Sequence, residues 1–303
     1  MTQPERPLSD ASPVIERSLG DWRLAVAPDL GGAVARLTWR GRDVLRPLPT
    51  GARDVLAAGC FPLTPYANRI ALGRFDWRGR KIQLPVLPQF APHALHGDGW
   101  RSAWPDESAS DAGGAAGSII LSHRSDDSGW PWPYEARQTF ELSDDGLCIG
   151  LAVTNIGDED MPAGLGLHPY FPITPQTRLE LDAPSVWVGE PGAIPQAVRR
   201  AADVYDWADG PTVMGAPFVD HCYVGWSGSA RLIEPDRIVT ITASPNARWA
   251  HVFAPPGQDF CCVEPVTHRP DAINAPADED SGLAVLAAGQ TVSMSLSMSA
   301  VAV

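Results

Sequence analysis

The stretch ARQTFELSDDGLCIGLAVTN (136–155) decides the fold class of this chain. Its second half alternates apolar residues with small or polar ones, through Leu147, Ile149 and Leu151. A period of two puts the apolar side chains on one face of a half-buried β-strand. The Asp-Asp-Gly run at 144–146 supplies turn residues between the two halves. The stretch therefore predicts an antiparallel β-hairpin.

The same pattern continues on both sides of this hairpin. Short apolar runs with period-two alternation follow one another from about residue 20, and helical runs are almost absent. The tetrapeptide WRGR occurs twice, at 39–42 and 77–80, as a turn within a hairpin. Thirty prolines and 28 glycines block long helices and mark loops. We therefore predict an all-β fold, a large antiparallel β-sandwich with long functional loops.

Composition divides the chain into a short N-terminal segment and one long domain. Residues 1–15 are rich in proline, serine and charge and are expected to form a loose N-terminal segment. Residues 16–303 show no internal repeat and are interpreted as a single β-sandwich domain. The Gly/Ala/Ser stretch at 106–118 is interpreted as a surface loop of that domain, because strand-like sequence continues on both sides of it.

Charge and hydropathy exclude several classes of protein. The formal net charge is -13 without a concentrated basic cluster, which argues against nucleic-acid binding. No apolar window approaches the length of a membrane span and no secretory signal opens the chain, so a cytoplasmic protein without membrane contact is expected. The five cysteines lack metal-type or framework spacing and are interpreted as free thiols in a reducing compartment.

Polar residues crowded into segments bounded by proline and glycine are the places to look for chemistry on an all-β scaffold. In PLTPYANRIALGRF (62–75), Asn68 and Arg69 combine an amide with a guanidinium that has five donors. The pair suits a hydroxyl-rich or anionic ligand. The alternative is a structural arginine that stacks on Tyr66 or pairs with an acid.

Two histidines occur in APHALHGDGW (91–100), His93 and His96. A His-x-x-His spacing can indicate a metal site, but no third ligand lies nearby in the sequence. Pro92 and Gly97 also argue against a helix that presents both rings together. Hydrogen-bonding histidines are therefore favoured, and no metal site is predicted.

Two further segments contain groups suited to proton transfer. In AGLGLHPYFPI (163–173), Pro169 favours an extended His168, which is either a catalytic group or a core histidine bonded to a carbonyl. In FCCVEPVTHRPDAIN (260–274), Glu264 shares a strand face with apolar residues, so its pKa is expected to be perturbed. The alternative is a strand-end glutamate that is paired with Arg269 or points to water.

Asp220 is an acid inside the largely apolar run PFVDHCYVGW (217–226). It can accept hydrogen bonds from a ligand or from a neighbouring backbone group.

Five segments together, PYANRIALGRF, HALHGDGW, GLHPYF, VDHCYVGW and VEPVTHRPDAIN, resemble the aldose 1-epimerase family, the galactose mutarotase-like proteins. They occur in the family's order, and the likeness extends from about residue 20 to the C-terminus. The resemblance implies a single large antiparallel β-sandwich with an open sugar-binding cleft and neither cofactor nor metal. It also implies that the domain at 16–303 is catalytic.

The resemblance also implies roles for individual residues. Glu264 matches the general base that takes the proton from the anomeric hydroxyl, and His168 matches the general acid that protonates the ring oxygen. Four residues match groups that bind the sugar: Arg69, Asn68, His96 and Asp220. The choice of His96 over His93 rests on the LHG match. The GLHPYF segment differs from the Asn-His-Ser-Tyr-Phe type of the better-known galactose mutarotases and is similar to a bacterial branch, which leaves the sugar open.

Mutarotation explains these residue types. Opening a hemiacetal removes a proton from O1 and adds one to the ring oxygen, so a base and an acid are needed on separate sides of C1. Carboxylate and imidazole exchange protons near neutral pH, and no nucleotide fingerprint such as GxGxxG occurs before a helix. The expected function is therefore interconversion of the α and β anomers of a free monosaccharide by a monomer or homodimer.

Two alternatives remain open at the sequence level. A glycoside hydrolase or lyase on a similar sandwich would use Asp220 and Glu264 as its two carboxylates. A non-catalytic carbohydrate-binding protein would use the same cleft without accelerating mutarotation.

Overall fold

The computed structural model describes residues 14–108, 118–125, 129–189, 193–277 and 279–303. Most of the predicted loose segment at 1–15 and the middle of the 106–118 loop lie outside these ranges. Ile15 already belongs to the first strand and pairs with Val26.

The described residues form β-strands and short 3-10 helices, without an α-helix. The strands in chain order are β1 Ile15–Leu19, β2 Trp22–Ala27, β3 Ala33–Trp39, β4 Arg42–Asp43, β5 Pro62–Leu63, β6 Arg69–Ile70, β7 Arg74–Trp77, β8 Arg80–Gln83, β9 Ala94–Leu95, β10 Ile119–Arg124, β11 Tyr134–Leu142, β12 Gly146–Asn155, β13 Met161–Ala163, β14 Gly166–Leu167, β15 Tyr170–Pro172, β16 Arg178–Leu181, β17 Ser185–Val188, β18 Ala197–Arg200, β19 Val219–Val224, β20 Ser229–Ile233, β21 Arg237–Ala243, β22 Trp249–Ala254, β23 Phe260–Val266, β24 Ala284–Leu286 and β25 Thr291–Ala302. The 3-10 helices are Val55–Ala57, Ala71–Gly73, Pro88–Phe90, Gly99–Arg101, Ala201–Asp203, Val213–Gly215 and Ala272–Asn274.

Two large antiparallel sheets dominate the fold. One has seven strands in the order β10-β11-β12-β25-β21-β20-β16. The other has eight strands, β18-β17-β19-β22-β23-β14-β5 with β15 also paired to β23. A smaller sheet, β1-β2-β3-β4, is connected to the segment before β5 by an isolated bridge between Val34 and Cys60. The predicted all-β sandwich is confirmed.

The predicted hairpins are confirmed in register. β11 and β12 pair from Tyr134 opposite Asn155 to Leu142 opposite Leu147, with the Ser-Asp-Asp-Gly turn between them. Both WRGR segments form two-residue turns. In each turn the arginine and the glycine have positive φ, at Arg40 and Gly41 and again at 78–79, as a type I′ hairpin requires.

The core lies between the two large sheets. Alternate residues of β12, such as Ile149 and Leu151, are buried together with Val252 of β22 and Val263 of β23. Side chains alternate along a strand, so the neighbours of Val252 and Val263 point to the other face of the eight-stranded sheet, its outer face. That outer face carries the polar residues predicted to perform chemistry.

The five cysteines are free thiols, as predicted. Cys261 packs in the main core and Cys262 in a second cluster on the outer face, because neighbours on a strand point in opposite directions.

Candidate active site

Three adjacent strands present polar groups on the outer face of the eight-stranded sheet. Asp220 lies on β19, His251 on β22 and Glu264 on β23. His251 stands directly opposite Glu264 in the register and opposite Cys222 on the other side. The order of the strands therefore brings together residues that are far apart in the sequence.

The strand that carries Glu264 continues beyond this residue. The alternative of a strand-end glutamate does not apply, since β23 extends to Val266 and Pro265 pairs with Ala250. Pairing continues because β22 offers a partner through Trp249. Residues paired with β22 therefore precede and follow Glu264 along β23.

A gap opens on the other side of β23, where His168 lies. Thr267 N donates to Leu165 O at 2.8 Å. Residues two apart on a strand present their backbone nitrogens to the same neighbour, so Pro265 faces the chain between β14 and β15. Proline has no N–H to donate, and β14 ends at this point.

Pro169 lies on the opposite side of this gap. His168 N donates to Phe61 O at 3.0 Å and Tyr170 N donates to Gly59 O at 2.8 Å, both towards the segment that leads into β5. The intervening nitrogen, that of Pro169, faces β23 and also lacks a hydrogen. The two prolines thus interrupt the ladder beside His168, which keeps its backbone bond to Phe61.

Asn68 enters the site just before β6, and Arg69 is the first residue of that strand. Asn68 has φ 57°, in the left-handed region, and its backbone N–H donates to His96 Nδ1 at 3.0 Å. Its side-chain Oδ1 accepts from Arg69 N at 2.8 Å. Arg69 Nη2 lies 3.7 Å from Asp220 Oδ2, which is long enough to leave guanidinium donors free for a ligand. Arg69 thus has an acidic neighbour and also lines the cavity, so a role in ligand binding stays a prediction.

All six predicted site residues line one cavity of about 210 Å³. It also contains His251 and a set of apolar side chains. The complete lining is Leu56, Asn68, Arg69, Phe90, Leu95, His96, His168, Tyr170, Asp220, His251, Phe253 and Glu264. Its volume is below the about 300–1,000 Å³ of typical drug-sized sites, which suits a small ligand.

The two histidines of the His-x-x-His segment separate. His96 lines the cavity, whereas His93 does not and instead accepts from Leu72 N through Nδ1 at 3.1 Å. Burial lowers the pKa of His96 well below its usual value. His96 therefore presents a neutral ring to the cavity.

Glu264 and His168 are in direct contact. Glu264 Oε1 lies 3.4 Å from His168 Nε2. The alternatives for Glu264 do not apply, because the residue is only 2% exposed and Arg269 pairs with Glu279. A base and an acid on separate sides of C1 would lie farther apart than this. At 3.4 Å the two groups can share one proton.

Burial sets the protonation of this pair. It raises the pKa of Glu264 to about 7, because removal from water disfavours the carboxylate. It lowers the pKa of His168 to about 3, because it disfavours the imidazolium. Near neutral pH, Glu264 exchanges its proton readily while His168 is a neutral ring.

His251 is the site residue that sequence reasoning missed. Its Nε2 lies 2.7 Å from Asp220 Oδ1, and its Nδ1 lies 3.3 Å from Asn68 Nδ2. Burial opposes a charge on His251, but hydrogen bonds to Asp220 and Cys222 and the charge of Glu264 raise its pKa. An amide NH₂ only donates, so Asn68 holds Nδ1 as an acceptor and limits this rise.

Asp220 is held ionised. Burial alone raises the pKa of this carboxyl, but the hydrogen bond and charge of His251 and the charge of Arg69 bring it down to about 2. Asp220 is thus a permanent hydrogen-bond acceptor at the cavity wall and not a proton donor near neutral pH.

A stack of planar groups supports His168. The Tyr170 ring lies parallel to the His168 ring, with centroids 4.7 Å apart and planes at 12°. The Arg46 guanidinium lies over the Tyr170 ring at 3.9 Å, and its backbone N donates to Tyr170 O at 2.8 Å. Phe61 packs against His168 at 4.7 Å. Aromatic contacts of this kind restrict the rotation of the imidazole.

The fold and cavity define a class of protein: a β-sandwich whose larger sheet carries a small polar cleft with a carboxylate–imidazole pair at its floor. A model of the aldose 1-epimerase family matches residues 18–299. The chain therefore belongs to the aldose 1-epimerase family, as its sequence motifs indicated.

Known proteins similar to this chain support the assignment. The uncharacterized protein YphB of Escherichia coli K12 is 33% identical over 294 residues, covering 93% of this chain and 96% of YphB. A crystal structure from Escherichia coli K12, described as an aldose 1-epimerase candidate, has a TM-score of 0.86 at 31% identity and covers 96% of this chain and 99% of its own. The GalM/aldose epimerase homologue from C. elegans has a TM-score of 0.79 at 19% identity, covers 97% of this chain and 100% of its own, and supports the fold alone.

No helix within the described ranges has the length and hydropathy of a membrane span.

Proposed function

We propose that this protein is a cofactor-independent mutarotase, an isomerase that interconverts the α and β anomers of a free aldose. The observation that carries the proposal is the contact of Glu264 Oε1 with His168 Nε2, 3.4 Å apart at the floor of a cleft lined by hydrogen-bonding groups. One carbon of the sugar carries both O1 and the ring oxygen, so the base and the acid must both reach the same small region.

In the proposed mechanism Glu264 takes the proton from O1 and passes it across the 3.4 Å contact to Nε2 of the neutral His168. The imidazolium formed in this way protonates the ring oxygen. The ring opens, the C1–C2 bond rotates and the groups exchange roles as the other anomer closes. A carboxyl pKa of about 7 suits this exchange, since a catalytic base is most effective when its pKa lies near the working pH. The aromatic stack fixes the imidazole, which reduces the entropy lost on reaching the reactive geometry.

The walls of the cleft supply sugar recognition in this proposal. Asp220 accepts hydrogen bonds from hydroxyls, while Arg69 and Asn68 donate them. His96 also donates, through Nε2–H, because its Nδ1 already accepts from Asn68 N. Arg69 is the one arginine or lysine that lines the cleft among the described residues, and Asp220 already offsets its charge. This balance favours a neutral monosaccharide over a phosphorylated one. Phe90 and Phe253 offer apolar faces to the carbon side of a sugar ring.

A glycoside hydrolase needs one protonated and one ionised carboxyl group, and Asp220 fits only the second role because it remains ionised. Both Asp220 oxygens already face partners, Oδ1 the His251 ring at 2.7 Å and Oδ2 the Arg69 guanidinium at 3.7 Å. Asp220 is therefore placed to bind a ligand and not to attack it, and mutarotation is preferred over hydrolysis.

Anomer-exchange NMR across a panel of hexoses, pentoses and deoxysugars tests the proposal. We expect saturation transfer between the α and β resonances of at least one free sugar, no cleavage of the matching methyl glycosides, and loss of transfer in Glu264→Gln. Exchange equal to that of buffer for every sugar would refute the mutarotase. Unchanged sugar binding by Glu264→Gln under those conditions would indicate a carbohydrate-binding protein.

A further inference from the structure

A third chemically reactive group lies beside the proton-transfer pair. Cys262 and Glu264 are two residues apart on β23, so both side chains point to the outer face of the sheet. Tyr170 pairs with Cys262 in the register, which brings the neighbouring His168 to the same place. One donor atom from each of His168, Cys262 and Glu264 lies within 4.8 Å of the other two.

The side chains of this group are buried. Cys262 is fully buried and Glu264 is 2% exposed. No described residue donates a hydrogen bond to the Glu264 carboxylate, whose ion-pair partner His168 Nε2 lies at 3.4 Å. His168 Nδ1 lacks a hydrogen-bond partner among the described residues, so nothing on that side of the ring prevents Nδ1 from holding the proton and Nε2 from offering its lone pair. A carboxylate without a hydrogen-bond donor beside an imidazole lone pair is suited to a cation.

The geometry points to a cation. We propose that His168, Cys262 and Glu264 form a binding site for Zn²⁺ at the floor of the cleft. Imidazole nitrogen, thiolate and carboxylate are the three donor types that zinc takes in proteins. Three protein ligands leave the fourth tetrahedral position open, here towards the cleft and its solvent.

The donor set selects zinc over the common hard cations. Magnesium and calcium prefer oxygen ligands in six-fold or higher coordination, whereas a thiolate favours softer ions. Zinc-ligand bonds of about 2.0–2.3 Å place tetrahedral donors roughly 3.5 Å apart, so side-chain movements of about 1 Å bring the three atoms to bonding distance. On binding, the Cys262 proton leaves to solvent, and the charges of thiolate and carboxylate balance the ion.

The site has a consequence for catalysis, and this part of the inference rests on the proposed function. A zinc ion bound to Glu264 and His168 occupies the lone pairs that would accept and pass the sugar's protons. Zinc is therefore an inhibitor that acts directly on the acid/base pair. Cys262 does not line the cleft, so it contributes to metal binding without contacting the sugar.

Isothermal titration of the chelator-treated full chain with ZnCl₂ tests the site without reference to activity. We expect one zinc ion per chain at the site, and affinity at least about 100-fold weaker in Cys262→Ala, because one of three protein ligands is lost. Glu264→Gln is a second variant with the same expectation. With CoCl₂ as the probe, a thiolate-to-metal charge-transfer band should appear in the wild type and disappear in Cys262→Ala.

Cys261→Ala is the matched control. Cys261 is the adjacent residue, equally buried, but it points into the main core opposite Phe171. Its replacement should leave the zinc affinity within about threefold of the wild type. Thermal unfolding of each variant confirms that the chain is folded before titration. Failure of the wild type to bind zinc, or equal affinities in Cys262→Ala and Cys261→Ala, would overturn the site.

Anomer exchange supplies the second arm of the test. If a sugar substrate is found, zinc should inhibit its exchange, EDTA should restore it, and Cys262→Ala should resist inhibition while retaining activity without metal. Exchange that continues at saturating zinc would overturn the inhibitory role. A wild type that binds zinc through Cys262 but accelerates no sugar would reject the proposed function and leave the metal site intact.

Discussion

Replacing Glu264 with glutamine is expected to stabilise the folded protein above neutral pH while removing its activity. The carboxyl is 2% exposed and receives no hydrogen bond from a described residue. Burial raises its pKa from 4.5 to about 7. A buried carboxylate therefore lowers the stability of the fold once it is ionised.

The sign of the effect follows from proton binding. Between pH 4.5 and about pH 7 the folded chain keeps the Glu264 proton while the unfolded chain releases it, so stability falls as the pH rises. Below this window both states are protonated and the penalty is absent. Above it the penalty is constant, at about 3 kcal/mol for a pKa raised from 4.5 to about 7.

Urea unfolding followed by tryptophan fluorescence measures this penalty. With EDTA present, the free energy of unfolding of Glu264→Gln minus that of the wild type should grow by about 3 kcal/mol between about pH 4.5 and about pH 8. Glu141→Gln changes an exposed glutamate of β11 and should follow the wild type within about 0.5 kcal/mol. A Glu264→Gln difference that is the same at both pH values would refute the account of a desolvated carboxyl.

Three further predictions concern the other groups of the cleft. His168→Asn should reduce anomer exchange, measured by NMR, by at least about 100-fold, and thermal unfolding should show that the chain stays folded. A near-normal rate would remove His168 from the proton-transfer pair. Arg69→Ala should weaken apparent sugar affinity by about 1–3 kcal/mol, measured as KM, with a smaller change in kcat; an unchanged KM would exclude contact with the sugar. His251→Gln removes the charge and the strong hydrogen bond that lower the pKa of Asp220. As the pH falls, Asp220 should therefore be protonated, and sugar affinity lost, at a higher pH in this variant than in the wild type. KM profiles against pH that coincide for the two proteins would contradict the assigned role of His251.

Local sequence was sufficient to predict the strands and hairpins. Alternation at 147–153 specifies one buried face, and the Arg-Gly pairs of both WRGR turns supply the positive φ values that such turns need. These signals act within a few residues and do not depend on the rest of the fold. The sandwich follows because strands such as β11 and β12 bury only one face.

The site was only partly predictable. The family resemblance named six residues that the structure brings into one cavity, but their roles remain to be tested. His251 was missed because the run WAHVFAP reads as an ordinary buried strand, and the partners of His251, Asp220 and Asn68, lie 31 and 183 residues away. The one available signal was a histidine alternating out of phase with Ala250 and Val252. Cys262 gave no signal beyond its spacing from Glu264.

The strand pairs on either side of His168 also lock the register of the sheet. Gly166 pairs with Val266 and Tyr170 pairs with Cys262 in one common register, which places His168 opposite Glu264. Sliding β23 by two residues, the smallest shift that keeps its apolar side chains on the same face, would break both pairs. The distance between Glu264 and His168 is therefore specified by the main chain, and side-chain substitutions in the cleft can redesign its chemistry without misaligning the two strands.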